Sequence, residues 1–151
     1  MTGLWNYIKG MLLQVKHKDG KNMVMAMLVE EIPLPNGLRV EVWDQSLPIA
    51  ADTTKVELLI RIRVELQPSY FIKPEHFEIV REIMGTEIFY EYKKQRPFVS
   101  NKKKDAVFRE LVDTFKKDSL PYLARPKFPH NFALSKYWDI EKNRYKYSRF
   151  S

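Results

Sequence analysis

The sequence predicts an α+β domain, and three observations predict it: a strand-period stretch over residues 11 to 66, a well-punctuated helix after it, and a basic, aromatic C-terminal end. The expected form is an antiparallel, twisted sheet of four to five strands, open or curled into a partly closed barrel, with two helices and a C-terminal arm. Residues 1–118 make the core domain in this reading. Residues 119–151 make a proline-containing arm packed on the same domain or on a partner.

The first signal is Asp19-Gly20, a turn pair between Met11–His17 and Met23–Ile32. Pro35-Asn36-Gly37 then separates Met23–Leu34 from Leu38–Asp44. A three-residue loop with Gly37 in the left-handed position puts Leu34 opposite Leu38 and Ile32 opposite Val40, all apolar. A two-residue turn would set Ile32 against Glu41 and mix the faces. Glu30-Glu31 are adjacent, so on a strand they point to opposite faces and cannot share a proton. A β-bulge there would bring Met23, Met25, Met27 and Val29 onto the core side.

Val56–Leu66 is the clearest strand: Val56, Leu58, Ile60, Ile62, Val64 and Leu66 alternate with Glu57, Leu59, Arg61, Arg63 and Glu65. Pairing it with Leu38–Asp44 so that Val42 meets Ile62 and Val40 meets Val64 also sets Glu41 against Arg63 and Arg39 against Glu65. A shift of two residues would set Arg39 against Arg63, which like-charge repulsion disfavours. Gln45–Lys55 is then a long connection, with Pro48 blocking strand continuation.

Pro74 at a first helical position, Phe77, Val80, Ile83 and Met84 at helical spacing, and Gly85 past the end define one helix. Glu87–Lys94 reads as a strand. Lys102–Lys117 reads as the second helix, with Val107, Phe108, Leu111, Val112 and Phe115 as its apolar stripe. Beyond Ser119, Pro121, Pro126 and Pro129 predict broken structure, and Phe132–Ser151 carries only a weak helical pattern.

Charge and chemistry bound the function. Residues 1–85 carry 10 Lys+Arg against 11 Asp+Glu, and residues 86–151 carry 16 against 8 together with 14 of the 20 aromatic residues. Such asymmetry points toward an anionic partner. With no cysteine there is no disulfide framework, thiolate metal site or cysteine nucleophile. His17, His76 and His130 stand singly, and the five glycines form no phosphate-binding pattern. No cofactor and no metal is expected. The longest apolar run, Met23–Val29, is far below the roughly 20 residues of a membrane span, and Met1–Asn6 lacks a signal-peptide pattern. A cytoplasmic protein without membrane contact is the expectation.

Ser46 with Asp44, Asp52 and His76 supplies the residue types of a nucleophilic triad, without a GxSxG elbow. Asp44-Gln45-Ser46 also has part of the DxSxxG pattern of cyclic-dinucleotide-binding PilZ barrels. Ile49 stands at the glycine position and no RxxxR pair precedes it, so turn chemistry at a strand end accounts for the run and no family is assigned.

Lys102, Lys103 and Lys104 oppose the macrodipole at a helix start, and an anion bound there would reverse that cost. Lys93, Lys94 and Arg96 lie just upstream. The tail adds Arg125, Lys127, Trp138, Arg144, Tyr145 and Tyr147, interleaving cations and rings as single-stranded nucleic-acid binders do. The same rings also suit packing across the body or a second subunit. A non-catalytic protein-interaction or assembly module, dimeric through the arm or bound to a protein partner, ranks first. An RNA- or single-stranded-DNA-binding module using the basic half ranks second, and an enzyme on a small anionic substrate third.

Overall fold

The computed structural model describes residues 12–16 and 23–147. Among these residues six strands form one antiparallel sheet: β1 (Leu12–Lys16), β2 (Met23–Pro33), β3 (Arg39–Asp44), β4 (Leu47–Ala50), β5 (Thr53–Glu65) and β6 (Glu87–Ser100). The order runs β1-β2-β3-β5-β6, with β4 also on β5, and the sheet does not close into a barrel. β3 and β4 keep the same register on β5, from Val40↔Ile62 through Asp44↔Leu58 to Leu47↔Lys55 and Pro48↔Thr54. They act as one strand interrupted at Gln45-Ser46. The Asp19-Gly20 turn lies outside the described residues, although β1 and β2 pair antiparallel on either side of it.

The Pro35-Asn36-Gly37 loop forms as its residues predict. Ile32 faces Val40, Leu34 and Leu38 exchange a backbone hydrogen bond of 2.8 Å, and Gly37 takes φ 89°. The bulge in β2 falls between Leu28 and Glu30, just before the carboxylate pair. Glu30 consequently reaches Lys116 at 2.9 Å on one side of the sheet, while Glu31 reaches Arg39 at 3.2 Å on the other.

The β3–β5 register corrects the sequence expectation by two residues: Val40 faces Ile62, Val42 faces Ile60 and Glu41 faces Arg61. Neither Glu41–Arg63 nor Arg39–Glu65 is a pair. The long Gln45–Lys55 connection is a strand and a tight hairpin turn at Ala51-Asp52, and that turn sets the register. Outer strands remove the expected repulsion: Glu31 of β2 neutralises Arg39, and Glu87 of β6 takes Arg63 at 2.9 Å. Pro48 is tolerated because β4 lies on a sheet edge, where its missing N–H faces no partner.

Five helices follow, where two and an arm were expected: α1 (Pro74–Met84), α2 (Lys104–Asp118), α3 (Leu120–Leu123), α4 (Phe128–Lys142) and α5 (Arg144–Tyr147), with a 3-10 turn at Pro68–Tyr70. α1 starts at Pro74 and ends at Gly85, whose φ 89° and ψ −167° lie in a region nearly restricted to glycine. Pro121 and Pro129 do not break structure. Each sits in the first turn of a helix, where its missing N–H has no intrahelical acceptor to lose. α4 buries Pro129, Ala133, Tyr137 and Ile140 at helical spacing, so the arm is a docked helical layer.

The main core lies between this layer and one sheet face. Val40, Val42, Val56, Leu58, Ile60, Ile62 and Val64 are fully buried there, together with Val80, Leu111, Val112, Phe115, Leu123 and Phe128. The opposite face is not wet throughout, because Ala26, Leu28, Trp43 and Leu59 form a second buried cluster on it.

Candidate functional site

β6 is the structural feature that sequence reading most underestimated. It runs 14 residues to Ser100, past the Lys94 at which the apolar alternation fades. Among the described residues β6 pairs with β5 alone, from Glu65↔Glu87 to Thr53↔Ser100. No other backbone–backbone hydrogen bond among the described residues engages residues 87–99, so along the outer edge of the strand the backbone N–H and C=O groups lack backbone partners there. Gln95 O accepts from the Arg96 side chain at 3.1 Å.

The pleat distributes the side chains of this edge. Ile88, Tyr90, Tyr92, Lys94 and Arg96 share the helix-covered face with Ile62, Ile60, Leu58 and Val56, whereas Glu87, Phe89, Glu91 and Lys93 lie on the other. Lys93 and Lys94 therefore flank the edge from opposite faces. A register shift between Thr54 and Val56, beside Pro97, ends the regular ladder, and Phe98 is left 80% exposed.

Lys102 and Lys103 occupy the turn after β6 and Lys104 opens α2; all three are exposed. Lys103 stands at the cap position without a side-chain capping bond. Asn101 anchors this corner: its N–H donates to Asp52 O at 2.9 Å, its Nδ2 to Ala51 O at 3.2 Å, and its Oδ1 accepts from Thr54 Oγ1 at 2.6 Å. Arg96 and the lysine triplet are thus held toward the Ala51-Asp52 end of the sheet, while Lys93 and Lys94 lie opposite the middle of β5, and none of the six forms an ion pair among the described residues.

Arg125 and Lys127 are at the other end, in the corner between α3 and α4. Asn36 Nδ2 of the β2–β3 loop donates there to Leu123 O and Arg125 O, at 2.8 and 2.9 Å. The Arg125 guanidinium lies 5.5 Å from the Tyr122 ring. The fold does not gather the basic residues into one patch. Asn36 and Asn101, which tie the helical layer to two hairpins, carried no signal beyond their turn propensity.

The tail rings mostly pack. Tyr137 stacks on His76 at 4.0 Å, Phe132 on Phe128 at 5.7 Å, and both phenylalanines meet Tyr90 edge-on. The Tyr147 hydroxyl donates to Asp139 at 2.7 Å, and Arg144 donates to Glu141 at 2.8 Å. Trp138 meets Tyr137 edge-on and stays 48% exposed; Tyr145 is exposed on α5.

Charges tune the α4–α5 contact. Burial, then the hydrogen bond to Glu141, raises the Tyr137 hydroxyl above its ordinary range. Arg144, then Tyr137, holds the Glu141 carboxyl below the usual carboxylate range. Tyr137 contributes stability in full below its unfolded pKa of about 10, and that contribution disappears as pH rises through the higher folded value. The Glu141 contribution is present above the unfolded carboxylate pKa and is lost as pH falls through the depressed folded value. Tyr137→Phe is expected to flatten the alkaline limb of a stability–pH curve measured by urea melts, leaving most of the acid limb; an unchanged alkaline limb would contradict this.

The triad residues do other work. Ser46 N–H donates to Asp44 Oδ1 at 2.9 Å, an Asx turn, and Ser46 Oγ accepts from Glu57 N–H at 3.1 Å. His76 is committed to the Tyr137 stack. Among the described residues Gln45 Oε1, Arg61 Nε and His76 Nδ1 are buried without hydrogen-bond partners, but Gln45 lies between β3 and β4, Arg61 on β5 and His76 on α1. Among the described residues no group of three or more His, Asp and Glu is placed to hold a metal, and no helix is long and apolar enough to cross a membrane. An open groove of about 860 Å³ is lined by Glu31, Arg39, Glu41, Arg61, Arg63 and Glu87 on the sheet face away from the helices and reaches Tyr70 and Pro129 at its end. Its Arg39 and Arg63 are already neutralised by Glu31 and Glu87. No protein-family model and no curated protein matches this chain.

Proposed function

We propose that the chain is a non-catalytic protein-interaction or assembly module that takes up its partner by strand addition at the outer edge of β6. The observation that carries this reading is the free backbone edge of a 14-residue strand. Strand addition derives affinity from main-chain hydrogen bonds and specificity from alternating side chains, and β6 offers both. The packing of Phe128, Phe132 and Tyr137 within the chain supports the reading indirectly, because those rings are no longer a free stacking platform. Amide hydrogen exchange tests it. Outward-pointing amides of β6 should gain protection at high protein concentration, or on adding an extended peptide of alternating Val and Glu. If they exchange like loop amides under both conditions, the reading fails.

A second reading, binding of single-stranded nucleic acid, is favoured by Lys93, Lys94, Arg96, Lys102, Lys103 and Lys104, which run from the middle of β6 to the start of α2 without ion-pair partners among the described residues. Under it, replacing Lys102, Lys103 and Lys104 by Ala should reduce the salt slope of RNA binding by about 2, since each phosphate contact on a single strand contributes about 0.7. Trp138→Ala should weaken binding at every salt by about 1–3 kcal/mol where a base stacks on that ring. Filter binding across a salt series reads both effects, and no retention at low salt would end this reading.

A further inference from the structure

The free edge of β6 is not uniform. Beyond Lys93 it carries the devices that stop strands from pairing: Lys94 and Arg96, then Pro97 with the register shift beside it. Its first half, Glu87-Ile88-Phe89-Tyr90-Glu91-Tyr92, has no proline and no bulge and is rich in residues that favour strands. We propose that this half pairs antiparallel with the same segment of a second copy of the chain, about a two-fold axis at Tyr90. The proposal rests on the strand-addition reading and names its occupant.

Charge complementarity selects both the occupant and the register. In an antiparallel pair, directly opposed residues share a face, so a symmetric pairing must place one residue on the axis. With the axis at Tyr90, Glu87 meets Lys93 of the other copy twice, Ile88 meets Tyr92 twice, and Phe89 meets Glu91. An axis at Phe89 would oppose Glu87 to Glu91, and one at Glu91 would oppose Glu91 to itself, both like-charge contacts. An axis at Tyr92 would set Ile88 against Arg96 and draw Pro97 into the ladder. Of these four axes, only that at Tyr90 both avoids like-charge contacts and ends the pairing at Lys93, short of Arg96 and Pro97.

The axis stands perpendicular to the sheet, so the helical layers of both copies remain on one side and the sheet continues across the dimer. Glu87 already accepts from Arg63, and its second oxygen is open to Lys93 of the other copy. Lys94 and Arg96 project beyond the paired segment, which limits further strand addition there. A seven-residue strand pair is small beside the usual interface of about 1,600 Å², so the dimer should be reversible and concentration-dependent.

Sedimentation velocity over a wide concentration range tests the proposal on the full chain. The wild type should dimerise. Lys93→Glu, which turns two attractive pairs into two repulsive ones, should raise the dissociation constant about tenfold or more. Glu87→Lys should do the same; Glu65 stands opposite position 87, but the substitution also takes the counter-charge from Arg63, so a urea melt of the variant must first show that it folds. Combining the two substitutions should restore the dimer, and dimerisation should add hydrogen-exchange protection to the outward amides of 87–93 but not to those of 94–100. A dimer indifferent to Lys93→Glu, or a wild type monomeric throughout, would overturn self-pairing. In the monomeric case, protection of β6 by the Val–Glu peptide would leave the strand-addition reading standing with a peptide partner. No response to the peptide would remove both, and retention of a single-stranded oligonucleotide would then favour nucleic acid.

Discussion

Replacing Phe128 by Ala should destabilise the protein by about 3–5 kcal/mol, among the largest effects of any single substitution. Phe128 is buried where α4 meets the sheet, with Tyr90 edge-on at 5.7 Å, Tyr122 at 5.6 Å and Phe132 stacked at 5.7 Å. Truncation leaves a cavity bounded by three rings, and rings relax poorly into such a space because they have few rotamers. For a chain of this size the loss should lower the melting temperature by roughly 6–20 °C. Tyr122→Ala, at a side chain 51% exposed, should cost much less. Urea unfolding checks the contrast. A cost below about 1 kcal/mol at Phe128 would mean that α4 does not dock on Tyr90 as described.

Ile62→Ala is expected to cost about 2–5 kcal/mol, against roughly 0.5–2 kcal/mol for its neighbour Arg61→Ala. Ile62 is fully buried in the middle of β5, between Val40 of β3 and Tyr90 of β6. Arg61 points to the other face. A free side chain there would cost less than about 0.5 kcal/mol on removal. Arg61 is not free, because its guanidinium lies 4.1 Å from the Phe89 ring. Removing it loses the cation–π contact and bares the ring. Equal costs at the two positions would mean that the faces of β5 are assigned wrongly, a result that the same urea titrations would reveal.

Local patterning was enough to read several elements. The alternation over Val56–Leu66 identified β5 and its core face, because burial on one side of a pleat imposes a period of two. Pro74 and Gly85 bounded α1, because each residue has a backbone requirement that few others meet. Gly37 specified the β2–β3 loop for the same reason. The candidate site was only half legible: Lys93, Lys94 and Arg96 were visible as cations, but not their division between the two faces of an unpaired edge.

What the sequence determined by itself, then, is what neighbours along the chain determine: faces, turns and helix boundaries, set by side-chain period and by residues with restricted backbones. The tertiary structure decided whatever depends on partners distant in sequence. Arg39 and Arg63 were read as barring the register that forms, because their counter-charges, Glu31 and Glu87, belong to the outer strands β2 and β6. Pro121 and Pro129 were read as breakers until the fold put each in a first helical turn, and α4 owes its stability to docking on Tyr90 and His76 more than to a strong apolar stripe. That β6 has no second partner among the described residues is likewise a property of sheet order, which no local pattern encodes.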